Sequence, residues 1–410
     1  MEPMPLHLLD RDILVPGRSL PFDIVDSKGQ ILLPRDTPLS DEAQIHQLRL
    51  RGYHKEEEEI ASVSPAAAAS TPPPALPPPS VAGSSWRRKP GSGEMAPATP
   101  RFFQPVERLA LQLEDIFSDL LNGKGNALTE QVMDLARSIQ AQSARDADAF
   151  LASLELCSCT RYGTLHAIHS ATLCDLVAQS QGMRSNDRRV LIGAALTRDV
   201  GFLELQEELE LQSDPLSRSQ RREVETHPRA SASLLREAGV TDPVWLACVE
   251  QHHERLDGSG YPRGLRGAQI QPQSGLLCVA DTYSAMVKPR VYRAAIQGPN
   301  AIHSIFQIRD SLADETGVQS FIRVLGVYPP GLIVRLASRE IAVVTRRTEN
   351  LKAPEVRVVA DSSDRLLQIY HSRDILEPEF AVQEILARTH AVREHLNHRQ
   401  LWGERPLGGR

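Results

Sequence analysis

Cysteine is scarce in this chain: there are five in 410 residues, at positions 157, 159, 174, 248 and 278. The number is odd and no C-x-x-C pair occurs, which excludes a disulfide framework and leaves reduced, mostly buried thiols. Cys157 and Cys159 are only a weak metal signal. An excess of positive charge is also missing. Lys and Arg number 46 against 52 Asp and Glu, a net charge of −6, so no basic face invites nucleic acid. Long apolar runs are absent too. The better ones, such as Val190–Leu196, have the size of a helix turn or a strand, and no membrane span is expected. Asp10, Arg11 and Asp12 stand where the apolar stretch of a secretion signal would lie. The expectation is a cytoplasmic protein of two to three domains.

What is present divides by composition. In residues 1–60, the runs Ile13–Val15, Phe22–Val25 and Gln30–Leu33 are separated by turn residues, and Asp41–Arg51 has a helical apolar side ending at Gly52. A small β-containing module is expected there. Residues 61–100 are rich in Pro, Ala and Ser with little to bury, the composition of a disordered spacer. From 101 to 325 the pattern is helical, beginning with Leu109, Leu113, Ile116, Leu120 and Leu121 at three- and four-residue steps. Further helices are expected over 128–142, 146–157, 163–181, 187–198, 220–238, 243–253 and 275–287. After Gly326 the period changes. Leu332–Leu336, Glu340–Arg346 and Glu355–Ala360 read as strands of a small appendage reaching to 387, and 388–410 reads as a polar, frayed tail. The class is mainly α.

The densest chemistry is His252–His253–Glu254 running into Asp257–Gly258–Ser259–Gly260–Tyr261–Pro262. Adjacent histidines, a carboxylate and a Gly-rich turn are poor core material. They suit a metal site at a helix end, because imidazole is the commonest side-chain ligand for transition metals near neutral pH. The string from His252 to Ile270 resembles the HD-GYP signature, HHExxDGxGYPxGLxGxxI, and meets every fixed position of it. That family comprises bacterial metal-dependent phosphodiesterases of cyclic di-GMP, built on an all-helical HD phosphohydrolase core. The resemblance implies further ligands in other helices: His169, followed by Ser170; His227, followed by Pro228; and Asp281 within Ala280–Met286. With Asp199 as the bridging catalytic carboxylate, and His252 and His253, these would hold divalent Fe, Mn or Zn. Arg290 and Arg293 fall where relatives hold the nucleotide's phosphates, and Gly260, Tyr261 and Pro262 form the loop that relatives use to contact GGDEF-domain proteins.

One segment departs from the pattern. Relatives carry His-Asp-x-Gly-Lys, and this chain reads Arg198–Asp199–Val200–Gly201–Phe202. Guanidinium stays protonated and offers only donors, so it cannot ligate a cation. A unit charge ~4 Å from a divalent ion costs about 8 kcal/mol at an effective dielectric near 20, before carboxylates offset part of it. The expectation is therefore one ion rather than two, with Arg198 paired to Asp199 and Asp281, and Phe202 withdrawing a phosphate contact. Three functions fit such a site. The first is a degenerate domain that binds nucleotide or a GGDEF partner with weak or no hydrolysis. The second is a working cyclic di-GMP phosphodiesterase yielding pGpG or GMP. The third is a phosphohydrolase of another phosphoester. A homodimer is compatible with all three.

Overall fold

The apolar spacing read from Val106 onward folds into helices in the computed structural model of the chain, which describes residues 102–157, 161–212, 216–287, 298–387 and 391–403. Nearer the start it describes the short pieces 6–8, 24–25, 31–35, 37 and 53–55. The chain separates into two compact units, Met1–Pro78 and Pro79–Arg410.

In the first unit, β1 (Leu6–Leu8), β2 (Ile24–Val25), β3 (Ile31–Leu33) and β4 (Tyr53–Lys55) form an antiparallel sheet in the order β1-β4-β2-β3. Two of the three anticipated runs, Phe22–Val25 and Gln30–Leu33, contain strands. Ile13–Val15, the helical stretch Asp41–Arg51 and the spacer 61–100 lie outside the described residues.

The second unit opens with α1 (Gln104–Leu121), which buries Val106, Leu109, Leu113, Ile116 and Leu120 along one face. It packs on α2 (Leu128–Leu156). The sequence suggested two helices here, and α2 is indeed broken at Asp146, whose backbone is extended. The Asp146 carboxylate accepts the Ala149 amide at 3.0 Å, capping the second half of the helix. Then come α3 (Tyr162–Ser180), α4 (Ser185–Thr197), α5 (Leu203–Leu211), α6 (Arg218–Glu237), α7 (Pro243–Gln251) and α8 (Pro272–Val287). Three more, α9 (Gly298–Gln307), α10 (Arg309–Leu312) and α11 (Glu315–Leu325), complete the helical part. Helix α5 was not anticipated, because Glu204, Glu207, Glu208 and Glu210 leave it little apolar periodicity. Every residue of α3 from Thr164 to Ala178 is buried. It is the central helix, packed by α2, α4 and α8, and its polar residues are therefore interior ones. Among the described residues no helix is long and apolar enough to cross a membrane.

The C-terminal strands β5 (Ile333–Leu336), β6 (Ile341–Arg346), β7 (Glu355–Ala360), β8 (Leu366–Arg373) and β9 (Val382–Ile385) form an antiparallel sheet ordered β8-β7-β6-β5-β9. The sequence suggested β5 to β7. It concealed β8, an edge strand with half of its residues exposed, and the short β9. One face of the sheet buries Ile341, Val343 and Val359 against Ala152 and Leu156 of α2, and the other buries Val334, Ala342, Val356 and Val358.

The expectation of a frayed tail from 388 is corrected by α12 (His398–Trp402), which buries Leu401 and Trp402. The Trp402 indole donates to the Thr345 carbonyl at 2.9 Å and stacks on Phe102 with centroids 4.8 Å apart. A polar composition hid one aromatic anchor. The sheet and the helices meet at Arg346, whose two terminal nitrogens donate to Asp146 at 2.7 Å each, and at the neighbouring Arg347–Asp148 pair.

Asp146→Ala removes both a helix cap and the acceptor of Arg346. Urea unfolding is expected to show a loss of about 2 kcal/mol. Asp146→Asn, which keeps the cap but not the charge, is expected to lose about half of that.

Candidate metal centre

Pro228 sits inside α6 and has no N–H to give to Val224, four residues earlier. His227 uses that carbonyl instead, its Nδ1 lying 2.6 Å from Val224 O. His252 caps the end of α7, where the last carbonyls lack helical donors, and its Nδ1 lies 2.7 Å from Val249 O. A carbonyl only accepts, so both Nδ1 atoms carry a proton and the rings turn their Nε2 atoms inward. These two Nε2 atoms are 3.2 Å apart. Asp199 Oδ1 faces them at 3.2 Å from His227 and 3.6 Å from His252.

Two imidazole nitrogens and a carboxylate oxygen converging in this way could hold a cation. Their spacing fits one, since donors bound to an ion at about 2.1 Å lie roughly 3.0–3.4 Å apart. His253 completes a group of three imidazoles whose ligand atoms lie within 4.8 Å of one another. Burial, followed by the neighbouring His252, holds the His253 pKa well below the ordinary value, which favours its neutral, ligating form. The residues of this group suit a divalent transition metal.

A second group, His166, Asp199 and Asp281, satisfies the same distance criterion, but a side chain already fills it. Arg198, at the end of α4, is 0% exposed. Its Nε and Nη2 donate to Asp281 Oδ1 at 2.9 and 2.7 Å, and Nη2 lies 3.4 Å from Asp199. Nη1 donates to the Ala195 carbonyl, and Nη2 also reaches the Ser170 hydroxyl at 3.3 Å. Burial raises the pKa values of Asp199 and Asp281, but the guanidinium together with hydrogen bonds from His227 and His252 to Asp199 and from His166 to Asp281 holds both well below the usual carboxylate range. Burial likewise works against the charge on Arg198, and the two carboxylates more than restore it. A guanidinium thus occupies the place between the two carboxylates of this group.

The histidine beside Asp281 is His166, with Nε2 at 2.9 Å, and not His169, as the family motif suggested. The two stand three residues apart on α3, on nearly one face, and the Ser284 hydroxyl lies 3.1 Å from the Nδ1 of each. Nothing in the local sequence separates them beyond the Ser that follows His169 and the helix pattern around it. The structure brings Asp199, His227, His252, His253 and Asp281 together. Arg290 and Arg293 lie outside the described residues.

Gly201 brings the turn after Arg198 against α6. A Cβ there would stand 2.7 Å from Ser231 N, and the Gly201 amide donates to Ser231 Oγ at 3.0 Å. Phe202, on the same turn, stacks on His227 with centroids 4.8 Å apart. An aromatic ring thus covers one face of His227.

Arg198→Met would leave two buried carboxylates without their cation. In chelator, unfolding is expected to cost about 3–5 kcal/mol less than for the unaltered chain. Equal stability would mean that the carboxylates do not depend on the guanidinium.

The HD domain family model matches residues 117–317. A cyclic di-GMP phosphodiesterase of Pseudomonas aeruginosa is 26% identical over 231 residues, 56% of this chain and 56% of that protein. A 3'3'-cGAMP-specific phosphodiesterase of Vibrio cholerae is 33% identical over 131 residues, 32% of this chain and 30% of that one. The chain spans about half the length, or less, of these curated relatives. Among solved structures, an HDG"Y"P protein from Bdellovibrio bacteriovorus aligns with a TM-score of 0.45 at 15% identity, covering 75% of this chain and 95% of that one. Residues 117–317 are an HD domain, and curated relatives of this part of the chain are named cyclic di-GMP phosphodiesterases.

Proposed function

We propose that this chain is a cyclic-dinucleotide signalling protein whose HD-GYP domain binds its nucleotide at a one-cation centre and hydrolyses it slowly or not at all. The observation that carries this reading is Arg198, buried between Asp281 and Asp199 where a second ion would otherwise be held. His227, His252, His253 and Asp199 would hold the single ion. When bound, that ion supplies Lewis acidity toward a phosphate oxygen.

The protein's own residues do the rest. Arg198 neutralises Asp281 and keeps it from acting as a free base. The Val224 and Val249 carbonyls fix the tautomers of His227 and His252. Phe202 keeps water from one face of His227 and contributes no charge toward a phosphate. Positioning and charge neutralisation on both sides of a scissile phosphodiester are what fast cleavage needs, and here one side is already closed. The names of the relatives support a cyclic dinucleotide as ligand. On the Gly260–Pro262 loop the neighbouring Asp257, Ser259 and Arg263 are exposed, which suits a GGDEF-domain protein as partner.

The test pairs calorimetric binding of cyclic di-GMP with product analysis in Mn²⁺. The unaltered chain is expected to bind without appreciable formation of pGpG or GMP. The double variant Arg198→His/Phe202→Lys is expected to gain turnover on the order of 10²-fold. Turnover by the unaltered chain at an ordinary enzyme rate, about 10 s⁻¹, would overturn the proposal. Failure to bind the nucleotide at all would do so as well.

A further inference from the structure

Ligating histidines are normally oriented by a hydrogen bond from the ring nitrogen that does not face the metal. His227 and His252 have such bonds, to Val224 O and Val249 O. His253 has none among the described residues. What holds its imidazole is stacking. The Tyr261 ring lies over it with centroids 4.6 Å apart and planes 34° from parallel, and His252 packs on it at 4.1 Å.

Tyr261 in turn is placed by a turn wound around one buried carboxylate. Glu254 is 1% exposed. Its Oε1 accepts the Arg263 amide at 2.7 Å and its Oε2 the Leu265 amide at 2.8 Å. The chain between is drawn tight, with the Tyr261 amide on the His253 carbonyl at 3.1 Å and the Gly267 amide on Leu256 O at 3.0 Å. At Gly260 a Cβ would stand 2.4 Å from both His253 O and Arg255 N, so only glycine lets the turn close this far.

Resting on the three-histidine centre proposed above, we infer that Glu254 is a positioning residue that acts through Tyr261 to orient His253, so that the Gly258–Pro262 turn sets the third nitrogen of the cation site. Two amides converge on two carboxylate oxygens, and no neutral side chain can accept both equally. Alanine leaves two N–H groups unmet, the Leu265 one buried. Glutamine turns an N–H₂ toward one of them. Either change frees Tyr261 from its place over His253 without touching a ligand. Any partner that grips this turn would by the same route alter the affinity of the cation site.

The experiment titrates Co²⁺ into the full chain, stripped of metal. It follows the visible absorption of bound Co²⁺ together with amide exchange over residues 254–267. Tyr261→Ala is expected to weaken Co²⁺ at least about tenfold, within the range found when the residues that orient a ligand are removed, while the Arg263 and Leu265 amides stay protected. Glu254→Ala and Glu254→Gln are expected to weaken it similarly and also to expose those amides. Tyr261→Phe, which keeps the ring, should match the unaltered chain in both affinity and spectrum. Because the two residues act in series, Glu254→Ala/Tyr261→Ala should be no weaker than either single change. The inference is overturned if the losses multiply, or if Glu254→Ala loosens the turn and leaves Co²⁺ affinity and absorption as they were. A spectrum unmoved by Tyr261→Ala would also overturn it. An unaltered chain that binds no Co²⁺ would instead sink the one-cation reading, and this role of Tyr261 with it.

Discussion

A guanidinium shut away from water must find its counter-charges inside the protein, and the surroundings of Arg198 are arranged by that requirement. Asp281 comes from α8, Asp199 from the turn after α4, the Ser170 hydroxyl from α3 and the Ala195 carbonyl from α4 itself. Three helices and a turn are thereby tied at one point. Removing a partner from such a cluster costs far more than the cluster is worth against an apolar substitute, because a lone buried charge is left behind. The same atoms would be ligands in a two-ion centre. On the reading proposed above, fold and chemistry compete for Asp281, and the pairing with Arg198 serves the fold.

The other half of the site follows from a different constraint, the need of each backbone carbonyl for a donor. Proline at 228 withholds one N–H from Val224, and the end of α7 leaves carbonyls without helical partners. Imidazoles take both positions and are oriented by doing so. The turn that begins at Glu254 uses the complementary device, a carboxylate that gathers amides. In each case the orientation of a potential ligand is set by main-chain hydrogen bonding one step away from the cation, the kind of support that decides how firmly a metal is held. Phe202 and Tyr261 then cover His227 and His253 with aromatic faces.

Much of this was legible in the sequence, and the reasons differ from residue to residue. His-Pro at 227–228 and the His252–Pro262 string carry their geometry locally, so their meaning survives without the fold. Arg198 was legible as chemistry, since no environment turns a guanidinium into a ligand. His166 was not. Two histidines one turn apart on a fully buried helix differ only in what α8 sets against them, and that is a tertiary fact. Glu254 reads as a signature residue, yet its task depends on two amides nine and eleven positions further on. Helix α5 and strands β8 and β9 were hidden because acidic or exposed segments lack the apolar period that marks an element. The tail was misread because a single tryptophan outweighs a polar neighbourhood once it has an indole acceptor and a ring to stack on.

The most direct measurement is the number of ions bound per chain, by equilibrium dialysis against Mn²⁺ with elemental analysis of the protein. With Arg198 lodged between Asp281 and Asp199, saturation is expected at one ion per chain. Saturation at two, with both sites of comparable affinity, would mean that the guanidinium leaves its carboxylates to a metal, and would contradict the one-cation centre.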